Sequence, residues 1–576
     1  MSVRLALPPL LFAALTALTA LPARALTVEV TAPDALKTLL TQHLEVARAA
    51  RQGDSFGADE LARLQRQSDE TARELLATEG YFTPQVSSTL AGDTLRYIVE
   101  PGPRTQVRSV RLRFAGALAD DADGRLRGWL ERGFALQPGM PFRQADWAAA
   151  KAAVVAPLLA GRYLTARVAA SEARIDPATH SADLDVTVDS GPAFFYGQPR
   201  IVGVERYPES IARHLNPARP GQPVRQQDLL DYQAALESSG YFSQAVVRID
   251  PDPAQAAAAP LVVEVTERPE KLLSLGAGVS TDTGARVQAT WLARDIADRG
   301  LRLKLDGKLE TRSQSAAAEL AWPQNAKGYV NSLAAQMKRE DIEGQETRTS
   351  LLAAKRTRTR GQIETAITLQ YQTETQQVGG VVDARNQALS ANYAWTRRAI
   401  GRAFYPRDGH VLTLQVGGAA EGLLSDTSFL RLYGRHTQYV RLGRDDRLVL
   451  RVEGGAVLAD TRDGIPTDFL FRAGGDNSVR GYAYQSLGRT LIGGVASVRY
   501  LATGSVEYNH FFTRDWGMAL FVDAGDAADA PGSLSPVFGY GAGARYRSPV
   551  GPVNLDVAYG QDTGQFRLHF SLGVSF

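Results

Sequence analysis

The sequence predicts an α+β tandem repeat of three small βααββ units, followed by a transmembrane antiparallel β-barrel of about 16 strands. Three observations predict it. One unit recurs three times between Leu26 and Pro269 at a spacing of ~80 residues, the size of small independent domains. From Lys271 to Phe576, runs that alternate apolar and polar residues recur between turns of Gly, Asp and Asn. Residues 471 to 488 break that alternation with a glycine-rich stretch around a single arginine.

At the N-terminus, residues 1–25 read as a secretory signal peptide. Arg4 is followed by an apolar run from Leu10 to Leu21 and by Ala23-Arg-Ala25, a small-x-small cleavage site. The first repeat is assigned to 26–104, the second to 105–192 and the third to 193–268. In each, a helix runs into a glycine, an aromatic residue and a strand: Gly80-Tyr81-Phe82 before Val86, Gly161-Arg-Tyr163 before Val168, Gly240-Tyr241-Phe242 before Val246. Glycine suits the left-handed position that stops a helix, and the aromatic packs back on the last turn. Helices are predicted from Gln144 to Leu159 and from Asp228 to Leu236, each after a Pro-Gly turn. Each unit closes with an alternating strand, Leu95–Glu100, Leu184–Asp189 and Leu261–Glu267. The Pro- and Ala-rich stretch 250–260 precedes the last of these, so it reads as a hairpin loop.

The barrel is assigned to 269–576. Leu301, Leu303, Leu305 and Leu309 alternate with Arg302, Lys304, Asp306 and Lys308. A soluble sandwich shows the same alternation; the leader and a last strand that alternates from Phe566 to a terminal Phe576 favour the bilayer. In Trp516–Gly525, Trp516, Met518, Leu520 and Val522 share one face, and Phe521, Asp523 and Gly525 the other. Lipid outside and a polar interior would satisfy both. The segment 471–488 then reads as a loop folded into the barrel, with Arg480 meeting Asp523. Closure requires the first strand, with Gly276 and Gly278, to meet the last, with Gly573 and Phe576. Glycines weaken that seam.

Val479-Arg480-Gly481-Tyr482, Phe521-Val-Asp523-Ala-Gly525 and Gly541-Ala-Gly-Ala-Arg545 followed by Ser548-Pro-Val-Gly-Pro552 resemble, in order, the signature segments of the outer-membrane assembly superfamily. These are the bacterial surface antigen barrels that include BamA, TamA and the two-partner secretion translocators. The resemblance implies that the repeats are POTRA domains and that the loop arginine, Arg480, anchors the sixth external loop against the strand carrying Asp523. It also implies that the seam is a lateral gate pairing with strands of unfolded outer-membrane protein clients. Three repeats resemble the TamA branch. That branch implies autotransporter and barrel assembly, an outer-membrane location with the repeats in the periplasm, and a TamB-like inner-membrane-anchored periplasmic partner. A general BamA-like assembly factor and a two-partner secretion pore with one dedicated substrate are the competing readings.

Composition narrows the rest. A formal net charge of +2 with no basic stripe argues against nucleic acid. Hydrophobic residues at 44% with slightly negative mean hydropathy, and no long apolar run after the leader, exclude a helical membrane protein. The chain has no Gly-x-Ser-x-Gly elbow, and Gly539-Tyr-Gly-Ala-Gly543 lacks the helix a phosphate loop needs. No enzyme is expected. Seven scattered histidines and no cysteine suggest no metal or other cofactor.

Overall fold

The computed structural model describes residues 26–52, 56–121, 124–378, 381–401, 405–548 and 551–575. The predicted leader 1–25, and Phe576 of the predicted seam, lie outside the described residues. The chain divides into two compact units, each described by itself. One holds residues up to 198 with 219–228 and 249–260; the other holds 199–218, 229–248 and 261 onward.

The first small sheet comprises β1 (Thr27–Thr31), β2 (Gln85–Ala91) and β3 (Thr94–Glu100), in the order β1-β3-β2. β1 runs parallel to β3, and β2 and β3 form an antiparallel hairpin. Three helices, α1 (Asp34–His43), α2 (Glu45–Gln52) and α3 (Ala58–Thr78), join β1 to β2, one more than the predicted pair. The extra break falls at Leu44, whose backbone turns extended while its side chain is buried in the core.

The second sheet has the predicted βααββ order: β4 (Gln106–Ala115), α4 (Arg125–Arg132), α5 (Gln144–Ala160), β5 (Arg167–Asp176) and β6 (Ser181–Asp189). α5 buries Trp147, Ala150, Val154 and Leu158, one stripe at helical spacing. That stripe meets Ala182, Leu184, Val186 and Val188, the alternate residues of the central strand β6. The third set repeats the order with β7 (Tyr196–Val202), α6 (Glu209–Leu215), α7 (Gln226–Ser238), β8 (Phe242–Ile249) and β9 (Ala259–Glu267). The stretch 250–260 connects β8 to β9 through a 3-10 turn, Pro253–Ala258. Of the three helix-stopping glycines, Gly80 and Gly240 are left-handed (φ +95° and +86°). Gly161 is not: at φ −100° it leaves α5 in an extended conformation, and the Tyr163 N–H still closes the turn on the Leu158 carbonyl at 3.2 Å.

The rest is a closed antiparallel barrel. Its first strands are β10 (Lys271–Ser280), β11 (Gly284–Ile296), β12 (Leu301–Glu310), β13 (Ser313–Ala321) and β14 (Tyr329–Ile342). Next come β15 (Gln345–Arg360), β16 (Ile363–Val378), β17 (Val381–Ile400), β18 (Gly409–Ala419), β19 (Phe429–Leu442) and β20 (Asp446–Leu458). A long loop, 459–499, holds a 3-10 turn, Thr467–Phe469, and the short hairpin β21 (Arg489–Leu491) and β22 (Gly494–Ala496). β23 (Tyr500–Phe511), β24 (Trp516–Ala528), β25 (Val537–Ser548), β26 (Gly551–Gly560) and β27 (Gln565–Ser575) complete the sixteen strands.

Burial settles the choice between sandwich and membrane barrel. Val287, Leu309, Leu352 and Ile367 point outward and are exposed, whereas Gln345, Thr347, Gln372 and Glu374 are buried inside. A water-soluble barrel would bury the first set and expose the second; a hydrocarbon surround requires this inversion. Among the described residues no helix is long and apolar enough to cross a membrane.

Candidate functional site

Between β20 and β23 the chain turns back into the lumen. Its entry is held by polar contacts to the wall: Glu374 accepts from the Thr467 N–H at 3.0 Å, and Asp468 accepts from Lys338 at 2.9 Å and Gln372 at 3.0 Å. An apolar plug of Ile465, Phe469, Phe471 and Val498 packs at the same level against Phe429 and Val457. Beyond it, Gly474 and Gly475 are left-handed and reverse the chain, and no strand forms between 471 and 488.

Arg480 is the end point of that path. Its Nε donates to Asp523 Oδ2 at 2.7 Å and its Nη2 to Asp523 Oδ1 at 3.0 Å, a planar fork on a planar carboxylate, and the Arg480 N–H adds a third bond at 3.1 Å. Nη1 reaches Glu507 at 2.7 Å and Asp556 at 3.0 Å. Arg545 bridges the same two carboxylates from the strand between. Ser505 donates to Asp523 at 2.6 Å. The Phe521 ring lies under the guanidinium, 3.4 Å from Cζ. Asp523 is fully buried and Arg480 5% exposed, so the Arg480–Asp523 pair is out of water, while Glu507 on the cavity side keeps partial exposure.

Gly481 follows at φ +95°, and a Cβ there would lie 2.8 Å from the Gly560 nitrogen. A side chain on Gly539 would collide with the Arg480 carbonyl. Loop backbone thus rests on wall backbone, which only paired glycines allow. Val479 is buried beside it. The Tyr482 hydroxyl donates to the Phe538 carbonyl at 3.2 Å and accepts from the Asp562 N–H at 3.1 Å. Six of the seven residues singled out from sequence therefore converge. Gly525 does not take part: it sits further along β24 opposite Thr503.

Several members went unrecognised in the sequence: Glu507, Asp556, His569, Asp476 and Asp282. His569, on β27, accepts from the Gly481 N–H at Nε2 (2.9 Å), which fixes the proton on Nδ1, facing Asp476 Oδ1 at 2.6 Å. Asp282, in the turn after β10, accepts from the Asp476 N–H at 3.2 Å. The loop therefore grips both the first and the last hairpin. Ligand atoms of Asp282, Asp476 and His569 lie within 4.8 Å of one another, a spacing a divalent cation could use, but both histidine nitrogens are already engaged by the protein.

The seam itself is short. β10 pairs with β11 along its whole length from Lys271 to Ser280, but with β27 only from Gly276–Ser575 to Ser280–Ser571. In its middle, Gly278 faces Gly573. On the seam side Lys271–Ser274 have no partner strand among the described residues.

A sixteen-strand lipid-facing barrel with a lumenal loop clamp, preceded by small mixed α/β sheets, defines an outer-membrane β-barrel with POTRA-like domains. The Omp85 superfamily domain matches residues 272–576, more than half of the sequence, and the chain belongs to that superfamily. BamA from Haemophilus ducreyi lacking POTRA domains 1-3 has a similar fold: TM-score 0.65 at 15% identity, over 82% of this chain and 100% of that one. CdiB from Escherichia coli gives a TM-score of 0.48 at 14% identity, over 90% and 99%. In sequence, the chloroplastic outer envelope protein 80 of Arabidopsis thaliana is 33% identical over 150 residues, 25% of this chain and 20% of the plant protein. The chain thus spans about a fifth of that relative's length.

Proposed function

We propose that this protein assembles other β-barrel proteins, autotransporters among them, through the seam between β10 and β27, in the manner of the TamA branch of its superfamily. The POTRA-like sheets lie in the periplasm of a bacterial cell and receive unfolded outer-membrane protein clients. A TamB-like inner-membrane-anchored periplasmic protein is the partner. One observation carries the reading: among the described residues the barrel is closed by a five-pair ladder with a glycine pair at its centre, and Lys271–Ser274 of β10 have no partner strand on that side. Unpaired strand edges in hydrocarbon cost several kcal/mol per group, so an incoming hairpin that supplies those bonds offsets the cost of parting the seam.

Cysteines at Ser280 and Ser571, which are register partners, test it in membranes that are assembling a client barrel. The expected result is that oxidation stops client assembly and reduction restores it. Undiminished assembly with a locked seam would sink the proposal, and export of a soluble substrate through the locked barrel would favour a secretion pore.

A further inference from the structure

The lumen encloses a cavity of about 600 Å³ beneath the folded loop, and the charges lining it do not balance pairwise. Each carboxylate there is taken. Glu507 and Asp556 are held by Arg480 and Arg545, and Glu310 by Lys308 at 2.9 Å. Asp476 faces His569, and Asp282 accepts from backbone. Three arginines on the same lining, Arg447, Arg451 and Arg547, form no ion pair among the described residues, and the Nε of each is buried without a partner.

Two of the three stand together. Arg447, at the start of β20, and Arg547, at the end of β25, lie at the end of the barrel away from the folded loop and meet at one turn: Arg447 bonds the Pro406 carbonyl, and the Arg547 Cζ lies 6.0 Å from the ring of the neighbouring Tyr405. Arg451 is four residues along β20, roughly 13 Å away at strand rise, and turns its Nη2 to the Ser478 carbonyl of the loop. The Arg447 and Arg547 guanidiniums are held in place by something other than charge. Arg447 gives Nη1 to the Pro406 carbonyl at 2.8 Å beside the Tyr439 ring. Arg547 gives Nη1 to the Arg514 carbonyl at 3.0 Å and stacks on Phe511, with Cζ 3.4 Å from the ring centroid. Each retains unspent donors. Two positioned guanidinium forks without a counter-ion form a receptor for a compact, multiply charged oxyanion, where a single carboxylate would satisfy only one.

We infer that Arg447 and Arg547 form an anion site at this end of the lumen that takes a phosphate group, either as the free ion or on a lipid headgroup. It is independent of how the seam works.

The purified full-length chain in non-ionic detergent is treated with phenylglyoxal, which modifies free guanidiniums, and the sites are read by mass spectrometry. Inorganic phosphate should slow modification of Arg447 and Arg547 at least fivefold, saturably, and leave the exposed Arg63 of α3 unchanged. Dihexanoyl phosphatidic acid, whose phosphomonoester headgroup can carry a second charge, is the second arm. Protection by both marks a site for the free ion; protection by the lipid alone marks a headgroup site. No protection by either, or equal protection by acetate, overturns the assignment. Calorimetric titration of the same ligands should weaken at least tenfold in the folded Arg447→Gln/Arg547→Gln variant, and less in Arg447→Lys/Arg547→Lys, which keeps charge but loses the forks; unchanged affinity in the Gln variant would equally overturn it.

Discussion

At the scale of single residues, the loop clamp depends on one side chain. Arg480→Ala leaves Asp523, which has no contact with solvent, with only the Ser505 hydroxyl and the residue-480 backbone N–H. Removing one member of a buried, hydrogen-bonded pair costs about 3–5 kcal/mol, and the barrel should lose stability of that order in denaturant unfolding. Asp523→Asn alone should cost less, because Arg480 keeps Glu507 and Asp556. A double-mutant cycle should show coupling between the two positions; additive losses would disprove the clamp. Gly481→Ala tests the same seat sterically, since φ +95° and the Gly560 nitrogen both oppose a Cβ. The expected outcome is faster proteolysis within 471–488 with the barrel still folded. Arg480 and Asp523 were legible because each breaks its local pattern. Glu507 and Asp556 occupy inward positions in alternating strands, between Val506 and Tyr508 and between Leu555 and Val557, and parity would have marked them. Nothing local relates Asp282, Asp476 and His569, whose meeting depends on the closure of the barrel.

At the scale of elements, alternation marked strands such as Leu301–Leu309 and Phe566–Phe576, and the Pro-Gly turns marked where α5 and α7 follow. Register was not legible, because pairing depends on the neighbouring strand and a slip of one residue changes every partner. The structure puts Ser571 opposite Ser280, while Ser274 faces Thr290 on the other side of β10. Cysteines at 280 and 571 should therefore oxidise readily in resting membranes, and cysteines at 274 and 571 should not. Equal yields from both pairs would mean that the seam slides. The second small sheet supports a prediction of a different kind. The Arg108 guanidinium and then the Ser109 hydroxyl hold the Asp183 carboxyl below the usual carboxylate range. A depressed folded value stabilises above the unfolded value of about 3.9 and is lost as pH falls below it. Hydrogen exchange in β4 and β6 should rise below about pH 4, and Asp183→Asn should remove that step.

At the scale of the whole molecule, what matters is how the barrel carries the last small α/β elements. Within the second compact unit, Arg294 of β11 is buried and donates through Nε to the Gly240 carbonyl and through Nη1 to the Pro269 carbonyl, both at 2.7 Å. Arg302 of β12 adds a bond to the Ser239 carbonyl at 3.0 Å, and the Tyr241 hydroxyl donates back to the Gly300 carbonyl. The residues that end α7 are thus the residues the barrel holds. Glycine at 240 has two tasks, since its left-handed backbone stops the helix and aims the freed carbonyl at Arg294. Arg294→Ala would leave the Gly240 and Pro269 carbonyls short of a donor, at a net cost of about 1–3 kcal/mol for the two bonds together. That loss falls on the junction, because the Arg480 cluster shares no group with it. The expected phenotype is separable. Spin labels on α7 and on β12 should report a broadened distance distribution, while cysteines at 280 and 571 oxidise as in the wild type. If client assembly slows in this variant with the seam intact, delivery from the α/β elements to the barrel edge depends on a rigid junction. Unchanged assembly alongside a broadened distribution would mean that β10 captures its client strand unaided, with Lys271–Ser274, which have no seam-side partner among the described residues, as the first point of contact.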